Sequence, residues 1–171
     1  DSINGELDSD DKDQFNPKLG VIWNVTPATT IRAAAFQVLK RTLITDQTLE
    51  PTEVAGFNQF YDDFNLTESK RYGAAIDHKF SSSVFGGLEL SKRDLTVPWT
   101  CVFGCSPLGA READWEESLN RAYAFWAPHR WWALRAEYIF ENFKRDPDFT
   151  NGVRDLDSHR APLGVRFFHP S

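Results

Sequence analysis

The sequence predicts an all-β fold, an antiparallel up-and-down transmembrane β-barrel segment of about seven strands, part of a larger barrel. Apolar and polar residues alternate along arms of roughly nine to eleven residues, the length of a tilted strand that crosses a bilayer. The arms form hairpin-like units with short turns, and long polar connections separate the units. Membrane barrels have this alternation of short and long connections, whereas the loops of soluble sandwiches are usually irregular in length.

The first hairpin is predicted over about residues 18–41. Its first arm, KLGVIWNVT, alternates apolar with other side chains and is rich in β-branched residues, so period and propensity both favour a strand. Asn24, Thr26 and Pro27 punctuate the arm and predict a short turn. Residues 1–14, which precede this hairpin, are predicted to form an acidic loop.

The second hairpin is predicted over about residues 71–94, with the turn at Ser81 to Ser83. Both arms alternate apolar with polar positions. Gly73, Gly86 and Gly87 lie inside these arms, and each would weaken a helix by about 1 kcal/mol relative to alanine. A strand hairpin tolerates these glycines better, so strands are favoured over helices.

The third hairpin is predicted over about residues 117–144, and a last strand over about residues 161–169. From Trp132 to Phe143 the apolar residues fit a helical period as well as a strand period. The layout shared with the first two hairpins favours strands. Long connections are predicted at Thr42 to Lys70, Asp94 to Trp115 and Arg145 to Ser158.

Charged residues on the predicted strands are candidates for the wall of a water-filled barrel. Such charges either set the field that a permeating solute experiences or form a salt-bridged wall without a role in selectivity. The lumen-facing candidates are Asp77, Lys79, Glu89, Arg135, Glu137, Glu141 and Arg166. Tryptophans beside the short turns predict an aromatic belt at the headgroups, or else ordinary core residues of a soluble β domain. They are Trp23, Trp126, Trp131 and Trp132.

Composition and motifs exclude several function classes. The 171-residue chain has a net charge of −6 and no stripe of Lys and Arg, so no nucleic-acid partner is predicted. Its apolar runs are far too short for a membrane-spanning helix. It has none of the common hydrolase, metalloprotease or nucleotide-binding motifs, so we predict no enzyme activity and no cofactor.

Cysteines and acidic stretches leave two smaller alternatives open. Cys101 and Cys105, in a loop with Gly and Pro, form either a small disulfide in an oxidising compartment or a pair of free thiols. No histidine stands at a partner spacing for zinc, and we predict no metal site. Asp8 to Asp13 and Asp146 to Asp157 carry alternating Asp residues but lack glycine at the sixth place of a calcium loop, which favours solvated loops.

Two stretches resemble a known family. FNPKLGVIWNVTPATTIRAAAF, residues 15–36, is similar to a strand–turn–strand motif in the barrels of TonB-dependent outer-membrane receptors. LEPTEVAGFNQFYDD, residues 49–63, is similar to the region after the next long loop of those receptors. Porin-like barrels that follow tetratricopeptide repeats in bacterial outer-membrane proteins look closer still. The sequence has no plug domain, no TonB box and no helical 34-residue repeat.

The resemblance implies an outer-membrane β-barrel that mediates passage, uptake or export of a solute or polymer. It also implies contact with outer-membrane lipid, and partners among periplasmic energy-coupling or repeat domains. Two alternatives stay open: a soluble all-β module that binds carbohydrate, and a non-conducting outer-membrane anchor or scaffold. Because an odd number of strands cannot close an antiparallel barrel of this class, we predict that the chain is a fragment of a larger barrel.

Overall fold

A computed structural model describes residues 15–40, 52–59, 63–101, 109–146 and 152–169. These residues form strands and turns. None of them is helical, so the described ranges contain no helix that could cross a membrane. The all-β antiparallel prediction is confirmed. The strands are β1 (Lys18–Thr26), β2 (Thr29–Leu39), β3 (Thr52–Val54), β4 (Phe57–Gln59), β5 (Glu68–Lys79), β6 (Val84–Cys101), β7 (Gly109–His129), β8 (Trp132–Arg145), β9 (Asp155–Arg160) and β10 (Leu163–Phe167).

An 8-stranded antiparallel sheet makes up most of the fold, in the order β1-β2-β5-β6-β7-β8-β10, with β9 also paired to β8. Apart from the β3–β4 hairpin, the strands from β1 to β8 pair in chain order. β9 and β10 follow one another along the same edge of β8 in a single register, since Arg160 pairs Ile139 and Leu163 pairs Ala136. Pro162 lies between them, and proline has no N–H to donate to the ladder.

The central strands are longer than the sequence predicted. β6 continues past Asp94 to Cys101 and β7 begins at Gly109, so much of the predicted connection Asp94 to Trp115 is paired strand instead. The alternation of apolar Leu95, Val97 and Trp99 with polar residues was the missed signal. β9 likewise begins inside the predicted connection Arg145 to Ser158, and pairing with β8 extends the edge strand.

Short turns join β1 to β2, β5 to β6 and β7 to β8, and these turns are staggered. A line of paired residues crosses the sheet at Thr29, His78, Gly86, Ala124, Ala136 and Leu163. At one end of this line, Thr29 directly follows the turn between β1 and β2. On β7, in contrast, Ala124 lies several residues before the turn at Arg130. The strands are therefore progressively offset, as they are in sheets that close with tilted strands.

The β3–β4 hairpin packs on one face of the large sheet. Ala55 and Gly56 both have positive φ, as the two-residue turn of a tight hairpin requires. Phe57 is only 1% exposed, and a Cβ added to Gly73 would lie 2.4 Å from its ring. Gly73 therefore leaves the space that the aromatic ring of the hairpin occupies.

Two hydrophobic clusters lie on the face that carries this hairpin. The first contains Ala34, Phe36, Val38, Phe57 and Ala75. The second, at the far ends of the longest strands, contains Leu95, Val97, Ala113 and Trp115, with Trp99 and Phe143 packed against it. Strand alternation places the sheet residues of both clusters on one side of the sheet.

Candidate functional site

The two faces of the sheet differ in chemistry, and the pairing register assigns each residue to one of them. We call the side opposite the β3–β4 hairpin the apolar face. Next to the short turns it carries a band of uncharged, mostly apolar side chains, which we call the apolar band; His78 lies at its turn side, and Asn120 and His159 lie at its far side. The band consists of Leu19, Val21, Trp23, Val25, Ile31, Ala33, Ala35, Tyr72, Ala74, Ile76, Val84, Gly86, Leu88, Leu90, Ala122, Ala124, Trp126, Trp132, Leu134, Ala136, Tyr138, Phe140, Ala161, Leu163, Val165 and Phe167.

The large side chains of the apolar band are mostly exposed. Leu88, in a central strand, is 55% exposed, and Leu163, on an edge strand, is 82% exposed. Among the described residues, Phe80 lies beside Gly86, where an added Cβ would be 3.4 Å from its ring, and most large side chains of the band remain exposed. Exposed apolar surface of this continuity is unusual for a soluble monomer and marks a surface that contacts another apolar phase or partner.

The apolar band ends abruptly on the side away from the short turns. Farther along the same face, the side chains become polar or charged. They include Gln37, Lys70, Lys92, Asp94, Thr96, Glu112, Asp114, Glu116, Ser118, Asn142, Lys144, Asp155 and Asp157. In this polar zone Asp94 and Glu116 bind the Lys92 ammonium at 3.1 and 3.3 Å, and these hydrogen bonds raise the pKa of Lys92. Such a boundary is typical of a surface that crosses from one solvent into another.

The opposite side, which we call the charged face, carries every predicted lumen-facing residue. Asp77 and Lys79 lie on β5, Glu89 on β6, and the remaining candidates on β8 and β10. The register places all of them on the side that the β3–β4 hairpin covers. Whether this side lines a water-filled lumen remains a prediction at this point.

Asp77 is the centre of one polar cluster on the charged face. Arg32 Nε donates to Asp77 Oδ2 at 2.7 Å, and Arg32 Nη2 lies 3.6 Å from Glu89. The hydroxyl of Tyr123, two strands away, also donates to Asp77. Tyr123 reaches across because Gly87, on the strand between them, has no side chain to obstruct it.

Glu137 is the centre of a second cluster. It is 6% exposed, and it accepts hydrogen bonds from Arg121 at 2.6 Å and from Arg135 at 2.8 Å. Next to it, Glu141 binds Arg160 at 2.5 Å. A buried carboxylate needs such partners, because an uncompensated charge out of water is costly.

Several members of these clusters were not predicted from the sequence. Arg32, Arg93, Glu117, Arg121 and Arg160 all lie on the charged face and bind carboxylates or arginines across neighbouring strands. The signal that identifies them is register: once the strands are paired, each stands on the same side as a predicted residue. Arg135 and Lys79 are exposed, as is Arg166.

The predicted belt tryptophans lie where the short turns are. Trp23, Trp126 and Trp132 point from the apolar face, and Trp131 lies in the turn between β7 and β8. Trp132 packs against Phe167 of the edge strand, with ring centroids 4.8 Å apart. These four tryptophans are thus absent from both hydrophobic clusters of the charged face.

The remaining predictions concern residues at the margins of the described structure. Cys101 ends β6, and Cys105 lies outside the described residues, so their pairing is untested. Asp8 to Asp13 and the predicted loop at residues 1–14 also lie outside. In the described ranges, no group of three or more His, Cys, Asp and Glu side chains could hold a metal ion.

Comparisons of the chain with models of known protein families, with curated proteins and with solved structures find no match. The resemblance to outer-membrane receptor barrels and porin-like barrels therefore stays a prediction. Function has to be inferred from the two faces of the sheet.

Proposed function

We propose that the chain is a segment of a transmembrane β-barrel in a bacterial outer membrane and contributes to the passage, uptake or export of a solute. In this proposal the apolar band contacts lipid, and the charged face lines a water-filled interior. The protein acts by providing a path with a charged wall and not by catalysing a reaction.

One observation carries the proposal: apolar and charged side chains occupy opposite faces of the sheet at the same level along the strands. Leu88 and Tyr138 belong to the apolar band, while the adjacent Glu89 and Glu137 point from the charged face. A soluble β-sheet buries its apolar face and exposes its polar face to bulk water. Here the ion-paired face is the partly covered one, and the apolar band is open, which is the pattern of barrels with lipid outside and water inside.

The dimensions of the apolar band agree with a bilayer. From Trp132 to Phe140 the strand advances about 26 Å, at roughly 3.3 Å per residue. A strand tilt of about 40° reduces this to about 20 Å along the membrane normal. This height, which already includes Trp132 at the turn end, is close to the apolar band of about 25 Å in known membrane barrels.

The edges of the sheet support membership of a larger barrel. β1 and the β9–β10 line each have one neighbour among the described strands. Unpaired backbone N–H and C=O groups are too costly for the hydrocarbon region of a bilayer. In the proposed barrel, further strands therefore pair with both edges, and the stagger of the short turns supplies the offset that closure needs.

Current through a planar lipid bilayer tests the proposal. The full-length protein that contains this chain is inserted into the bilayer, and we expect discrete conductance steps. Replacing Glu141 with glutamine should then change the ratio of cation to anion permeability, because this partly exposed carboxylate would line the path. A protein that stays monodisperse without detergent and does not insert would contradict the proposal and favour the soluble carbohydrate-binding module.

A non-conducting anchor is the second candidate, and the β3–β4 hairpin favours it. This hairpin occupies the charged face, where it would obstruct the interior of a barrel. The same bilayer measurement separates the two functions, since an obstructed anchor inserts without conductance steps. If replacement of residues 52–59 by a short Gly-Ser linker creates steps that the parent protein lacks, the hairpin is the obstruction.

A further inference from the structure

A cavity on the charged face lies between the β3–β4 hairpin and the far halves of β7 and β8. Its volume is about 580 Å³, within the range of small-molecule sites. Its lining includes the side chains of Arg71, Ser91, Arg93, Phe143 and Ser158. A cavity with guanidinium, carboxylate, hydroxyl and aromatic groups suits a polar solute of the size of one or two sugar units.

Most charged side chains in this cavity have an oppositely charged partner. Glu89 lies 3.6 Å from Arg32, and Glu141 is 2.5 Å from Arg160. Two carboxylates bind Arg93, namely Asp63 at 2.9 Å and Glu117 at 2.7 Å. Arg121 binds Glu137 at 2.6 Å.

Arg71 is the exception among the described lining residues. Its partners are neutral oxygens: Nη1 donates to the Asn58 carbonyl at 2.5 Å, and Nη2 donates to the Ser91 hydroxyl at 3.2 Å. Its Nε is buried and has no hydrogen-bond partner. Partial removal from water and the nearby charge of Arg93 lower the pKa of Arg71, and the carboxylates of Glu89 and Glu117, neither of which forms a salt bridge with Arg71, oppose this to a smaller extent. A partly desolvated cation without an ion-pair partner is unfavourable, and an anion at this position would relieve that cost.

We propose that Arg71 forms the anion-recognising point of this cavity and binds an oxyanion group, a carboxylate or a phosphate, carried by a hydroxyl-bearing solute. The planar guanidinium has donors in a fixed fork that matches both groups. Its hydrogen bonds to Asn58 and Ser91 fix the direction of that fork. Hydroxyls of Ser91 and Ser158 are available for the neutral part of the solute.

The position of Arg71 relates this site to the proposed passage. Arg71 pairs with Arg93 across the sheet, level with the polar zone beyond the apolar band. Under the proposed function, which this step of the inference presupposes, the site lies at the mouth of the path and selects anionic solutes before they enter.

Calorimetric titration of the full-length protein in detergent solution tests the site without relying on conductance. The probes are glucuronate, glucose 6-phosphate and glucose. We expect at least one of the two anionic sugars to bind at least about tenfold more tightly than glucose, and the preferred one identifies the oxyanion. Arg71→Gln should weaken that binding by about tenfold to a hundredfold, because it removes a charged hydrogen-bond donor.

Two further variants make the result specific. Arg71→Lys keeps the charge without the fork and should recover only part of the affinity. Arg166→Gln removes an exposed arginine of the same face outside the cavity and should leave the affinity within about twofold of the parent protein. Urea unfolding should show that Arg71→Gln is still folded under the titration conditions, although it loses the hydrogen bonds to Asn58 and Ser91.

Equal affinity for glucose and both anionic sugars would overturn the proposal, as would unchanged binding in Arg71→Gln. An equal loss in Arg166→Gln would overturn it too, since it would indicate a general field effect. Anion binding without bilayer conductance would contradict the proposed function and leave the site intact. Conductance without anion binding would contradict the anion site and leave the proposed function intact.

Discussion

The substitution Leu88→Arg tests whether the apolar face contacts lipid or water. Leu88 is 55% exposed and lies in the middle of the apolar band. Its register neighbours, Ile76 on β5 and Ala122 on β7, point from the same face. The apolar band contains no carboxylate that could form an ion pair with an arginine at position 88.

The expected cost depends on the phase that Leu88 faces. In lipid, an arginine near the midplane of a membrane barrel costs about 2–4 kcal/mol. That corresponds to a decrease of roughly 30- to 900-fold in the folding equilibrium constant. In water, exchange of one exposed surface residue for another is usually within about 0.5 kcal/mol.

Equilibrium urea titration of the protein folded into phospholipid vesicles, followed by tryptophan fluorescence, measures this difference. Thr96→Arg is the matched control, since Thr96 lies on the same strand and face but beyond the band, between Glu68 and Asp114. We expect Thr96→Arg to change stability by less than about 1 kcal/mol. Equal effects of Leu88→Arg and Thr96→Arg would refute the lipid-facing assignment.

Other substitutions test the charged face and the hairpin. Glu137→Gln should destabilise the fold by about 1.5–3 kcal/mol in urea titrations, because two guanidiniums lose a charged acceptor; a loss below about 0.5 kcal/mol would indicate a solvated, replaceable contact. Phe57→Ala should open the hairpin by about 3–5 kcal/mol, seen as faster hydrogen exchange at residues 52–59 while β6 and β7 keep their protection. Gly73→Ala should displace the same ring and cost less in the Phe57→Ala background, with a coupling of about 0.5–3 kcal/mol. Additive effects would show that the ring does not occupy the space above Gly73.

Strand alternation was readable from the sequence because it depends on local side-chain order. The opposite orientations of Leu134 and Arg135 follow from the two-residue period of a strand. The helical period that also fits Trp132 to Phe143 was excluded by comparison with the neighbouring hairpins, and pairing of β8 with β7 agrees. The alternation of Leu95, Val97 and Trp99 was not recognised, because Pro98 interrupts this short segment.

The ion pairs could not be predicted from the sequence, because they depend on the pairing register of strands that are distant in sequence. Arg32 and Asp77 are separated by 45 positions, and they meet because β2 pairs with β5. The β3–β4 hairpin was missed for a related reason. Its place on the sheet depends on Gly73 and Gly20, whose missing side chains accommodate Phe57 and Val54. Glycine inside a strand often marks such a close approach, so this signal was present but did not identify the partner.

Spin-label accessibility along β6 tests most directly whether the apolar face contacts hydrocarbon. Single cysteines are placed at Phe85, Leu88, Glu89 and Leu90 in a background in which Cys101 and Cys105 are serine, and the labelled protein is reconstituted in lipid vesicles. We predict that labels at 88 and 90 collide mainly with oxygen, which concentrates in the bilayer, and that labels at 85 and 89 collide mainly with a water-soluble nickel complex. Nickel accessibility that is equally high at 88 and 89 would contradict the assignment of lipid to one face and water to the other.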